Sequence, residues 1–359
     1  MDRSKKTEHL KMLHDYRQKL RKEPILKYLF LELTMKCNEN CLHCGSRCGD
    51  VKSDELSVEQ YKAFLDKIKR DFPKKPMLCI TGGEPLLRKE FFEIMDYANE
   101  LGFNWGMTSN GTLITKEIAR KLEEAGMKTI SISLDGLEDT HDAFRRRKGG
   151  FKASIEGVKN LLERDFQNVQ ITTVVTKKNI SQLDEMFDLM CDIDLDSWRL
   201  TGIEPIGRAL ELKDYTLDGD DYRRLFDFIK TKREEGFPLS YGCTHFLGLD
   251  YEREVRDWYF LCNAGIYVAS VMANGDIGAC LDIERRPETI QGNILRDDFT
   301  DVWFNKFDIF RKPLSDKNDK CKNCKDCDFC EGGSYHSWDY NNNKQMMCFN
   351  DIFAAPQQA

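Results

Sequence analysis

Six short apolar segments, each followed by a helical pattern, set the tightest limit on the architecture of this chain. Strands are predicted over 28–34, 77–81, 104–108, 129–134, 169–175 and 198–203. Each is rich in apolar or β-branched residues, with Gly, Asp or Asn often just after it. Helices are predicted over 56–70, 89–101, 116–125, 151–163, 180–190 and 220–235. The first follows Ser53, and the next two run into Gly102 and Gly126 as glycine caps. Strand–helix units in series join a parallel sheet through right-handed crossovers. Six units are too few for a closed eight-stranded barrel, so a partial (β/α)6 barrel is expected, with its chemistry in the loops after the strands' C-terminal ends.

The regular units stop near residue 235. Residues 236–260 read as a bridging region, and 261–359 as a small Cys-rich domain. Residues 1–27 hold nine Lys/Arg and four Asp/Glu, with a thin stripe of Leu10, Leu13 and Leu20. They read as a short, partly exposed helix, either a solvated tail or a basic arm for an acidic partner. The 359 residues are 41% hydrophobic, enough for one large core or one core plus a smaller domain. No apolar run approaches the ~18 residues of a membrane span, and the charged opening lacks the apolar core of a signal peptide. With 54 basic against 61 acidic residues the net charge is −7, which argues against nucleic-acid binding and fits a cytoplasmic protein. Such a chain keeps its thiols reduced. Fourteen cysteines against six histidines therefore point to metal ligation, and to iron–sulfur over zinc.

Cys37, Cys41 and Cys44 follow the first strand at C-x3-C-x2-C spacing. On a loop, that spacing lets three thiolates converge on one cluster and leaves one of four irons open to chelate a small molecule. Thr81-Gly82-Gly83-Glu84-Pro85 ends the second strand in the equivalent place. Its glycines permit close backbone approach to a ligand, and Glu84 offers a carboxylate to an ammonium. A structural zinc site is the alternative for the triad.

On these residues the chain resembles the radical SAM enzymes over nearly its whole length. His43 stands where that family often has an aromatic residue. The resemblance implies a [4Fe–4S] cluster on Cys37, Cys41 and Cys44, with S-adenosylmethionine chelating the open iron. An electron then cleaves the C5′–S bond, and the 5′-deoxyadenosyl radical abstracts a substrate hydrogen. By the same resemblance Gly82, Gly83 and Glu84 hold the methionine amino end. Ser133 and Arg145, in S-L-D-G…H-D-x-x-R, bind the ribose and carboxylate end. The alternative for Arg145 is a surface charge. Ser109-Asn110-Gly111 either lines this pocket or forms a plain turn, and Leu200 or Ile203 packs on adenine or in the core.

Cys262-x12-Gly275-x4-Cys280, then Cys321-x2-Cys324-x5-Cys330 and Cys348, resemble the SPASM extension, which binds auxiliary [4Fe–4S] clusters. Cys321, Cys324, Cys330 and Cys348 correspond to the outer cluster's full ligand set. The inner set keeps Cys262 and Cys280 but has Ser334 at its last position, with Cys327 or Cys243 as substitutes; one or two auxiliary clusters are expected. A zinc knuckle is the alternative for the run Cys321–Cys330. Cys79 and Cys191 read as buried small hydrophobes, and Cys48 and Cys243 either as the same or as hydrogen-atom donors.

Radical SAM enzymes with such extensions mostly modify peptides. The resemblance therefore implies a maturase acting at Cα or Cβ of a residue in a ribosomally made, leader-containing precursor, giving a crosslink or other oxidative change. Biosynthesis of a small molecule or cofactor, sulfatase-type maturation and epimerisation are the alternatives. Flavodoxin or ferredoxin is the expected reductant. Residues 1–27 are too short for a leader-binding domain, so a separate recognition protein or direct leader binding is expected. Asp282, Glu204 and Asp135 are candidate bases.

Overall fold

A computed structural model describes residues 2–49, 54–242 and 244–354. Helix α1 (Arg3–Lys22) leads into β1 (Tyr28–Glu32), α2 (Val58–Asp71), β2 (Met77–Thr81), α3 (Phe91–Glu100), β3 (Trp105–Ser109) and α4 (Lys116–Glu124). There follow β4 (Met127–Ser133), α5 (Glu138–Arg145), α6 (Gly150–Leu162), β5 (Asn168–Val175), α7 (Leu183–Asp192), β6 (Ser197–Gly202), α8 (Gly219–Glu234) and β7 (Leu239–Tyr241). All six predicted strands are present. Their registers are parallel throughout, and β7 adds a seventh parallel strand beside β6.

The C-terminal region enters the same sheet. Strand β8 (Val268–Val271) pairs parallel with β1, and β9 (Asp276–Gly278) and β10 (Gly292–Asn293) extend it antiparallel. Among the described residues the order is β10-β9-β8-β1-β2-β3-β4-β5-β6-β7, an open sheet with β7 and β10 at its edges. The rest is short: α9 (Phe299–Asn305), α10 (Asp319–Lys322), α11 (Cys327–Cys330), the ladder of β11 (Trp338–Asp339) with β12 (Lys344–Gln345), and α12 (Phe349–Ala354).

Local chemistry explains the boundaries. Helix α2 begins at Ser57, whose hydroxyl accepts from Gln60 N while the Gln60 side chain returns to Ser57 N. Ser53, the predicted start, lies outside the described residues. Val58, Tyr61, Phe64, Leu65 and Ile68 form its buried face at helical spacing. Leu29, Leu31, Leu78 and Ile80 are almost wholly buried, as expected where helices cover a parallel sheet.

Helix α1 is neither a free tail nor an open basic arm. Leu10 and Leu20 are each 1% exposed, and Arg17 and Lys6 are buried. Lys6 pairs with Glu254 at 2.6 Å, and the Arg17 guanidinium bonds the Phe260 carbonyl at 2.9 Å and Glu331 at 2.8 Å. Lys6, Arg17 and Arg21, counted as solvated in the sequence, thus have partners hundreds of positions away.

Candidate active site

The Cys37–Cys44 segment leaves β1 and is clamped by backbone hydrogen bonds on three sides. Gly83 N donates to Thr34 O at 2.7 Å and Glu84 N to Lys36 O at 2.9 Å, tying it to the end of β2. Leu42 N donates to Phe144 O at 2.9 Å and Asn40 N to Arg145 O at 3.3 Å, tying it to α5. Arg208 N donates to Cys44 O at 3.1 Å. The two glycines make the first clamp possible. A Cβ on Gly83 would fall 2.1 Å from Lys36 O and 3.0 Å from Cys37 Cβ, and one on Gly82 2.4 Å from Thr34 O. The close backbone approach read from the sequence is thus to the cysteine segment itself.

The three thiols are half-buried. Burial raises the Cys37 thiol and pushes Cys41 up to about 12, Arg145 partly offsetting it. Cys44 is held at about 6, chiefly by the Cys48 thiol, against the cost of burial and with help from Cys48 N–H and Arg208. Cys37 and Cys41 both feel the charge on Cys44, so the sulfurs form one electrostatic group. Three such sulfurs, once deprotonated, are the donor set a cluster with one open iron requires. Cys48 is buried among Met35, Ala273, Cys37 and Cys44, with its thiol 3.6 Å from Gly82 O.

Glu84 is wholly buried. Its carboxylate accepts Ser109 Oγ at 2.9 and 3.0 Å, Asn110 N at 2.9 Å and Leu86 N at 3.3 Å, so it braces β2 against β3. Burial raises its carboxyl to about 7. Asn110 Nδ2 donates to Asn38 Oδ1 at 2.7 Å, so Ser109-Asn110-Gly111 is a tether for the cysteine segment as well as a turn.

Arg145 is no surface charge: it is 6% exposed. Its guanidinium lies 2.9 Å from Glu39 and 2.7 Å from Asp135, and 3.8 Å from Cys41 Sγ. The group expected at a cofactor carboxylate is thus already held between two protein carboxylates beside a cysteine sulfur. Asp135 is occupied by the same bond and by Val174 N at 2.8 Å. The sequence reading missed Glu39, whose buried position inside the cysteine motif was its only signal. His43 stacks flat on Phe144, centroids 4.4 Å apart. Burial lowers its imidazole to about 4, so it serves as a neutral aromatic plate. Ser133 closes β4, half-buried, while Leu200 lies in the core and Ile203 packs with Phe144 and Ala209.

A second group faces this loop from the C-terminal region. Asp282 is solvent-accessible, yet enough protein surrounds it to raise its carboxyl above the usual range. One carboxylate oxygen lies 4.0 Å from Cys280 Sγ, and the other would stand 3.7 Å from a Cβ on Gly45. Asp282 therefore sits between Cys280 and the residue following Cys44. Glu204, by contrast, is buried between His245 and His336. Of the three candidate bases, Asp282 alone stands open.

Among the C-terminal cysteines, Cys262 and Cys330 pack against the same cluster of Leu10, Phe246 and Phe260. Cys321 lies within electrostatic reach of Cys324, Cys327 and Cys348, and Cys330 of Cys321 and Cys348. Cys327 hydrogen-bonds the Ser315 side chain. Cys262 and Cys280 both lie beside Tyr340, and Cys262 also beside Tyr335. Ser334 is buried and donates its hydroxyl to the Thr244 carbonyl. Cys243 lies outside the described residues. Cys79 is half-buried, and Cys191 is exposed at the end of α7 rather than packed in the core. No described helix is long and apolar enough to cross a membrane.

Comparison with known proteins agrees with this geometry. The Radical SAM superfamily profile matches residues 31–190, and the profile of SPASM, an iron–sulfur cluster-binding domain, matches 262–328. An AdoMet-dependent heme synthase from Methanosarcina barkeri is 31% identical over 78% of this chain and 82% of its own length. The mycofactocin maturase MftC of Mycolicibacterium smegmatis is 33% identical over 78% of this chain and 70% of its own. Among solved structures, Streptococcus suis SuiB bound to S-adenosylmethionine superposes with a TM-score of 0.71 at 22% identity, over 87% of this chain and 74% of that one. The enzyme anSMEcpe with bound AdoMet gives 0.72 at 20% identity, over 91% and 94%. The chain belongs to the radical SAM superfamily, enzymes that use a [4Fe–4S] cluster and S-adenosylmethionine, and its C-terminal region is of the SPASM type, which binds auxiliary iron–sulfur clusters.

Proposed function

We propose that this enzyme oxidatively modifies a residue of a ribosomally made peptide at Cα or Cβ. In this reading Cys37, Cys41 and Cys44 hold the cluster of the radical site, and Gly82, Gly83, Glu84, Ser133 and Arg145 shape the cofactor pocket. Cys321, Cys324, Cys330 and Cys348 hold an outer auxiliary cluster, with Cys327 at its edge, and Cys262 and Cys280 belong to an inner one. When bound, the cluster and cofactor supply an electron and a 5′-deoxyadenosyl radical that takes one hydrogen atom from the substrate.

The observation that carries the reading is the place of Asp282, accessible between the Cys44–Gly45 turn and Cys280. A base there removes a proton from the substrate next to a group able to accept the remaining electron. One hydrogen atom, one proton and one electron leave, so the product is two hydrogens lighter. Desolvation by the surrounding protein raises the Asp282 carboxyl above the ordinary carboxylate range, which makes it the stronger proton acceptor. The likeness to the mycofactocin maturase supports a peptide substrate. The comparable likeness to heme synthases keeps a tetrapyrrole as the second reading.

The test is mass spectrometry of peptides encoded beside the gene after incubation with anaerobically reconstituted enzyme, reduced by flavodoxin or ferredoxin. A peptide lighter by ~2 Da supports the reading, and Asp282→Asn should abolish that product while still forming 5′-deoxyadenosine. Turnover of an iron-bearing tetrapyrrole, with the peptides untouched, would replace it by the second reading.

A further inference from the structure

Beside Asp282, three side chains from distant parts of the chain converge. Glu204 follows β6, His245 follows β7, and His336 precedes β11. Glu204 Oε2 lies 2.7 Å from His336 Nε2 and 3.3 Å from His245 Nε2. One ligand atom from each lies within 4.8 Å of the others. The side chains of Glu204 and His245 are 8% and 3% exposed, and that of His336 14%.

Both imidazoles lie within ion-pair distance of Glu204, but only one makes a well-formed hydrogen bond. His336 is hydrogen-bonded to the carboxylate. His245 Nε2 is buried and has no hydrogen-bond partner among the described residues, although the same oxygen is 3.3 Å away. Two imidazoles and a carboxylate gathered within 4.8 Å, one nitrogen left without a hydrogen bond, form a set able to hold a cation. Around an ion with bonds of about 2.1 Å, tetrahedral ligand atoms sit roughly 3.4 Å apart; His245 already stands at 3.3 Å from Glu204, and His336, at 2.7 Å, would exchange its hydrogen bond for the ion.

We propose that Glu204, His245 and His336 bind a divalent ion of the zinc type. Two imidazoles and one carboxylate form a nitrogen–oxygen donor set with at least one position left for an outside ligand. The set contains no thiolate, so its chemistry differs from that of every cysteine group in the chain. Asp282 feels the charges of Glu204 and His336, so the set lies close to the candidate base. There the ion holds a carbonyl or carboxylate oxygen of the substrate while Asp282 takes the proton. That role rests on the function proposed above, whereas ion binding does not.

The probe is zinc alone, dialysed into iron–sulfur-reconstituted enzyme without substrate. Zinc and iron are counted together, and zinc-edge X-ray absorption reads the donor atoms. Expected are about one zinc per chain, nitrogen and oxygen scatterers near 2.0–2.1 Å, and unchanged iron. His245→Ala, His336→Ala and the shape-preserving Glu204→Gln should each weaken zinc binding at least tenfold with iron retained, iron serving as the check on folding. Sulfur scatterers would place the zinc in a cysteine site and overturn the proposal. So would wild-type zinc content in the His245→Ala/His336→Ala double variant, or no zinc in the parent enzyme. Because nothing is turned over, failure of the peptide reading would leave this result untouched.

Discussion

Cys37, Cys41 and Cys44 occupy eight consecutive residues of one loop, whereas the cysteines matching the C-terminal motif are spread from Cys262 to Cys348. The first group is positioned by what lies directly beneath it: the end of β1, the glycine pair after β2 and the end of α5. The second is gathered by long-range contacts, including a helix from the opposite end of the chain. Glu331, next to Cys330, receives Arg17 at 2.8 Å, Gln18 at 3.0 Å and Arg21 at 3.1 Å. On the barrel side Glu32, at the end of β1, accepts Ala273 N at 3.1 Å and pairs with Arg285, fastening the C-terminal hairpin to the sheet. A site built from one segment can be read from spacing. A site gathered from four segments depends on contacts that spacing does not record.

The sharpest way to break this comparison is one methyl group. Gly83→Ala would drive a Cβ into the Lys36 carbonyl at 2.1 Å, a backbone atom that cannot step aside. It should abolish 5′-deoxyadenosine formation and remove about four irons per chain, with the C-terminal iron kept. In Gly333→Ala the new Cβ meets the tip of the Gln345 side chain at a φ of +85°. That variant should lose stability locally, through the left-handed backbone and the displaced Gln345 amide, and leave S-adenosylmethionine cleavage intact. Equal loss of cleavage in both would erase the distinction.

Arg145→Met comes next. It leaves Glu39 and Asp135 buried without their shared cation. Anaerobic denaturant titration should show a loss of about 3–5 kcal/mol, with only part restored by Arg145→Lys. A change under about 1 kcal/mol would mean the clamp is not a support of the loop.

A smaller effect follows from Glu84. Its folded carboxyl titrates at about 7 because it is buried, above the ordinary value near 4.3. A raised carboxyl contributes stability fully below the unfolded value and loses it as pH climbs through the folded one. Between pH 5 and 8 the parent enzyme should therefore lose up to ~3 kcal/mol relative to Glu84→Gln. Melts of the two proteins at both pH values check this, and a difference that does not change with pH would contradict it.

Glu331→Gln should have the mildest outcome, about 1–3 kcal/mol, and a local one. Hydrogen exchange should quicken in α1 and around Cys330 while β1–β6 keep their protection. Uniform quickening would mean that the C-terminal region and the barrel open as one unit.

The same contrast explains what was legible beforehand. The strands were readable because each is a short apolar run ended by a turn residue, and β2 matched its expected bounds of 77–81. Helix α5 was visible only as the stretch His141–Arg145, being eight residues long with five acids or bases crowded into it. The three residues of β7 are too few for periodicity to register, and β8 reads as a strand only once β1 is there to receive it. Charge alone made α1 look solvated, because no local pattern reveals that Lys6 and Arg17 end on Glu254 and Glu331. Within the site the cysteine spacing was plain. The use of Arg145 between Glu39 and Asp135 was not, because carboxylates 96 positions apart meet only in the folded chain.

The most direct test of the account is a paired measurement on two reconstituted variants, Cys37→Ala/Cys41→Ala/Cys44→Ala and Cys321→Ala/Cys324→Ala. Iron per chain and 5′-deoxyadenosine are measured on the same samples. The first variant should lose about four irons and all cleavage of S-adenosylmethionine while keeping the C-terminal iron. The second should lose auxiliary iron and still form 5′-deoxyadenosine. Cleavage surviving in the first variant, or loss of all iron in both, would contradict two separately built centres.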